Sequence, residues 1–168
     1  MFGIAFADIT DRLFALLDKW GSRLEVDCTL RFDMPPGYET ANATYEPDTR
    51  TIHLNPALPE EGYVNSAFYL LHELRHARQH QHRQELPEDV ARSLDYVILY
   101  DGRCYKRTDG RWVDCRLAGD ESYFTDLYTN QPHEVDANAF AYQALLPDME
   151  GHQLDELESL RRFWALRH

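Results

Sequence analysis

The sequence predicts an α+β fold in which a small mixed or antiparallel sheet packs on one long helix, with further helices C-terminal to it. Three observations carry this. Apolar residues alternate from Leu24 to Phe32, and strand-like runs flank Glu46-Pro47-Asp48. A helical period runs from Tyr63 to about Gln84. Helical periods return after Pro132 and again after Leu154. A length of 168 residues suits a single domain, 1–168, with a β-hairpin insert near residues 99–118.

Taken in order, Ile9, Leu13, Leu16, Leu17 and Trp20 recur at helical spacing, with Asp8 or Thr10 as start and Gly21 as stop. In the strand that follows, Leu24, Val26, Cys28, Leu30 and Phe32 point inward, so Cys28 reads as a small core residue. Asn42 to Tyr45 and Thr49 to Asn55 then form a hairpin, with His53 facing opposite to Ile52 and Leu54. The helix from Tyr63 is apolar before His72 and polar after His76, so it is expected to start buried and emerge toward solvent. Leu86-Pro87-Glu88-Asp89 starts another helix, continued by Val90, Leu94, Val97 and Ile98. Asp101-Gly102 and Asp109-Gly110 are hairpin dipeptides. A two-residue turn at Asp109-Gly110 sets Thr108 opposite Arg111 and Cys104 opposite Cys115. Both are hydrogen-bonded pairs, a poor geometry for a disulfide. Asn130 is the expected cap of the next helix, and Leu154, Leu157, Leu160, Phe163 and Trp164 line the last one.

Bulk composition narrows the function. With 17 basic against 29 acidic residues the net charge is −12, which repels phosphate backbones, so no nucleic-acid partner is expected. No apolar stretch is long enough to cross a membrane, and Asp8, Asp11 and Arg12 interrupt any signal-like run near the start. Three cysteines argue against a disulfide framework. The expectation is a cytoplasmic protein with no membrane partner.

The chemistry sits in His72-Glu73-Leu74-Arg75-His76, an H-E-x-x-H pattern. On a helix two histidines four residues apart share one face and can grip one metal ion, with the intervening Glu73 handling a water. A hydrolytic zinc site needs three protein donors and an open position. His82 lies ~15 Å up the helix axis from His72 and His80 ~12 Å, too far to share an ion with it. Glu134 and Asp136, on a later helix, can approach from across a cleft, and Glu134 is preferred.

Together, Leu71-His72-Glu73-Leu74-Arg75-His76 and Glu134-Val135-Asp136-Ala137-Asn138-Ala139-Phe140-Ala141 resemble the ImmA/IrrE kind of gluzincin-type zincin metallopeptidase, whose pattern is H-E-x-x-H and later E-x-x-A-N/D-x-F-A. The resemblance spans roughly Thr44 to Leu146. It implies a zincin-like fold, His72, His76 and Glu134 as ligands of Zn2+, and Glu73 as general base in hydrolysis of a protein or peptide substrate. It also implies that Asn138 supports a ligand histidine, and that the strand Thr49 to Asn55 is an edge where an extended peptide pairs. Tyr128, Tyr142, His133 and His53 are candidates to steady the oxyanion, and Arg75 is expected to pair with an acid such as Asp136. The acidic surface and the long insert also suit a different class: a zincin-fold protein without protease activity, acting as a protein-binding or immunity-type module.

Overall fold

The computed structural model of the protein describes residues 2–98, 103–115 and 130–165. The chain is mixed α+β. Helix α1 spans Phe2–Leu24, and its inner face buries Leu13, Leu16 and Leu17. Gly21 does not end it. Val26 N–H bonds to Gly21 O at 3.0 Å and Glu25 N–H to Ser22 O at 3.2 Å, the paired closure of a Schellman motif. Glu25, at φ 55°, occupies the left-handed position that glycine usually fills, so the stop lies four residues beyond the glycine.

The first sheet has strands β1 (Thr29–Arg31), β2 (Ala43–Glu46) and β3 (Thr51–Leu54). Its order is β1-β3-β2, with β1 parallel and β2 antiparallel to β3. It is therefore mixed. The alternation from Leu24 to Phe32 holds in burial, although regular pairing covers only three of those residues. The edge expected at Thr49 to Asn55 is corrected: β3 is paired on both sides, so no peptide can add to it. The outer edges among the described residues belong to β1 and to β2, which packs against the long helix. The strand itself was legible in the alternation from Leu24 to Phe32, but its parallel pairing with β3 joins distant segments and leaves no local signal.

A short helix α2 (Leu58–Glu61) leads into α3 (Tyr63–Gln81). α3 packs against α1, α2, β2, β3 and both C-terminal helices. None of residues 62–83 is exposed, so the polar half does not emerge into solvent as expected. Its side chains are spent on the connection between α1 and β1. Arg78 donates to Leu24 O at 2.8 Å, and His82 Nε2 donates to Glu25 O at 2.7 Å. Gln81 accepts from Asp27 N–H at 3.1 Å and donates to Asp27 O at 2.9 Å. Buried polar groups need partners, and here loop backbone supplies them. His80 and His82 are likewise partly buried rather than surface residues, His80 beside the Tyr45 ring at 5.9 Å.

Helix α4 (Glu88–Ser93) is shorter than expected, because Tyr96–Ile98 forms strand β4 instead. It pairs antiparallel with β5 (Cys104–Thr108), which pairs with β6 (Arg111–Asp114). Asp109 (φ 51°) and Gly110 (φ 76°) make the two-residue turn with both residues left-handed. Thr108 faces Arg111, Cys115 N–H bonds to Cys104 O at 2.8 Å, and the cysteines are free thiols. Asp101-Gly102 and the insert's outer parts at 99–102 and 116–118 lie outside the described residues.

Helix α5 spans Pro132–Leu145, following Gln131 rather than Asn130 at its cap, and α6 spans His152–Ala165. Ala137 and Ala141 are fully buried, and their small side chains let α5 lie close on α3. That contact builds the site.

Candidate metal centre

His72 and His76 sit one turn apart on α3, with ring centroids 4.6 Å apart and Nε2 atoms at 3.0 Å. α5 lays Glu134 across both: Oε2 is 3.1 Å from His72 Nε2, and Oε1 is 3.1 Å from His76 Nε2. Both rings are 7–8 % exposed, against any reading of an exposed histidine pair. Asn138, one turn beyond Glu134, accepts from His72 Nδ1 at 2.8 Å. The orientation of Gln79 is fixed by its amide, which donates to His133 O at 3.0 Å and Asp136 Oδ2 at 2.8 Å. Its Oε1 therefore accepts from His76 Nδ1, at 2.7 Å. Both Nδ1 atoms carry protons, so both Nε2 atoms, the metal-binding nitrogens of the neutral tautomer, face one carboxylate.

Two donor triads can be drawn. Ligating atoms of His72, Glu73 and His76 all lie within 4.8 Å of one another. Glu134 makes the tighter set, because Glu73 Oε1 is 4.0 Å from His72 Nε2. A tetrahedral ion with donors at about 2.0–2.1 Å separates them by about 3.4 Å, so a small outward movement of these three fits one ion. Two converging imidazole lone pairs beside a carboxylate are a donor set for a divalent cation.

Electrostatics agree with the geometry. Burial disfavours the His76 imidazolium, but Glu134, aided by Glu73, overrides it and holds the ring up at about 9. Burial pushes Glu134 up, yet His76 and His72 hold it well below the usual carboxylate range. Glu73 goes the other way: burial raises it, helped by Glu134 and opposed by the two histidines. Without metal, a proton on His76 takes the place of a cation. Since 9 exceeds the ordinary 6.5, that stabilisation is complete below pH 6.5 and lost as pH rises through about 9. Thermal unfolding in chelator is expected to show falling stability across this window, whereas the gain on adding zinc widens, because the ion displaces the proton. A chelated protein with equal midpoints at pH 6.5 and 9 would contradict the assignment.

Asp136 is not in the cluster. It takes Arg75 Nε at 2.8 Å and Nη2 at 3.2 Å, the pairing expected of Arg75. Of the oxyanion candidates, Tyr142 bonds Glu158, and His53 lies in the first sheet with Nδ1 on Asp33 O at 2.9 Å. Tyr128 lies outside the described residues. His133 does reach the site, its ring 5.6 Å from that of His76, and burial pushes it down to about 4 against the pull of Glu134. Gln79 was missed from the sequence, where it reads as one more polar residue of the helix. Its contacts with α5 are long-range and leave no local signal.

No protein-family model matches the chain, and no curated protein and no solved structure matches it. Among the described residues, no helix is long and apolar enough to cross a membrane.

Proposed function

We propose that the protein is a zincin-like, zinc-dependent metallopeptidase that hydrolyses a protein or peptide substrate in the cytoplasm. His72, His76 and Glu134 hold the ion. The observation that carries this is the convergence of two Nδ1-anchored imidazoles and one buried carboxylate on a single point, beside a second carboxylate. When bound, the ion supplies Lewis acidity, polarising a carbonyl and lowering the pKa of water. Glu73 accepts the proton of the attacking water and passes it to the leaving amine; its raised carboxyl suits that task. Asn138 and Gln79 keep both imidazoles in the metal-binding tautomer. Arg75 and Asp136 are structural, tying α3 to α5.

Zinc is favoured by the two-imidazole, one-carboxylate donor set. Protein purified without added metal or a histidine-rich tag is expected to carry about one equivalent of zinc by elemental analysis. Less than about half an equivalent would sink this reading.

The depth of the cluster supports a second reading. Glu73, His72, His76 and Glu134 are each only 7–8 % exposed. A metal that staples α3 to α5 in a non-catalytic, protein-binding or immunity-type module would occupy the same donors. Metal content is the same in both cases, and hydrolysis separates them.

A further inference from the structure

We infer that His133 is a fourth metal donor, so that the resting site holds three imidazoles and one carboxylate; this deepens the metal reading above and rests on it. The hydrogen bonds of Ser93 carry the argument. Ser93 Oγ donates its one proton to Val90 O at 2.7 Å. Its two other contacts must therefore be accepted, from the His133 backbone N–H at 3.1 Å and from ring Nδ1 at 2.9 Å. The Nδ1 proton is thus fixed, as it is in His72 and His76, and Nε2 turns inward. His133 is nine-tenths buried, and its Nε2 faces Glu134 Oε1 at 3.5 Å. That distance is too long for an N–H···O bond. It matches the separation of about 3.4 Å between two donors on one tetrahedral ion.

The three histidines thus share one arrangement. Each Nδ1 is held by an oxygen, from Asn138, Gln79 or Ser93, and each Nε2 lies at the Glu134 carboxylate. Four protein donors make a closed site, so hydrolysis requires His133 to yield its place to the substrate. The same tautomer removes His133 from the oxyanion donors, since the neutral ring has no proton on Nε2.

The test needs no turnover. Metal-free protein with isotope-labelled histidine is loaded with one equivalent of NMR-active cadmium, and scalar coupling from the metal to ring nitrogens is recorded. Coupling to three Nε2 atoms, one of which vanishes in His133→Asn, is the expected result. Coupling to only two overturns the inference and leaves the metal reading standing; no bound cadmium overturns both. As a second measure, Ser93→Ala is expected to weaken zinc about 10-fold in competition with a chromophoric chelator. An unchanged affinity would show that His133 does not hold the ion.

Discussion

Replacing Glu73 with Gln is expected to lower peptide hydrolysis by about 10²–10⁴-fold while the zinc stays bound. Gln matches Glu in size and still fills the buried position, so packing is undisturbed. It cannot accept a proton, and proton transfer is the one task assigned to this side chain. The donors are untouched, because Glu134 and not Glu73 lies at 3.1 Å from both Nε2 atoms. Rate and metal content measured on the same sample separate the possible outcomes. Normal cleavage would remove Glu73 from the mechanism. Loss of zinc would make Glu73 a ligand, as the alternative triad has it. A wild-type protein that binds zinc but cleaves no peptide would favour the binding module.

Glu134→Gln is expected to remove most of the zinc-dependent stabilisation. With free zinc a thousand-fold above its Kd, the wild-type protein gains about 4 kcal/mol through binding linkage. The variant offers a neutral amide where a buried anion faced two imidazoles, and it loses the negative charge that lies 3.1 Å from both. Its unfolding midpoint should therefore rise far less with zinc than that of the wild type, since only neutral imidazoles remain to hold the ion. Without metal the variant also leaves His76 without its main counterion, so the high-pH loss of stability expected of the wild type should flatten. A full zinc response in Glu134→Gln would remove Glu134 from the donor set.

The parts of the site that sequence revealed are those with local periodicity. A four-residue spacing sets His72 above His76 on any helix, and the same rule puts Asn138 one turn from Glu134. The turn at Asp109-Gly110 was equally legible, because a hairpin of that length demands two left-handed residues. What sequence hid depends on contacts between distant segments. Gln79 looks like any polar helix residue until α5 brings His133 O and Asp136 to its amide. The polar end of α3 reads as solvated, yet the backbone of the α1–β1 connection covers it. Glu25 ends α1 in a conformation that its residue type disfavours, so Gly21 drew the boundary too early. The central position of β3 follows from a three-residue parallel pairing that no composition rule would single out.

The bonds joining α3 to α5 also bear on how freely the chain between them can change. His72 and Asn138 are 66 residues apart in sequence, Arg75 and Asp136 61. Closing a flexible loop costs free energy only as the logarithm of its length, so even doubling it adds about 0.6 kcal/mol. The two halves of the site are therefore nearly indifferent to how much chain separates them. An insertion at the Asp109-Gly110 tip would leave the donors in register, whereas a one-residue insertion within α3 between His72 and His76 would turn one ring about 100° away. Spacing is rigid inside each motif and elastic between them, which lets an insert of this length grow without disturbing the site.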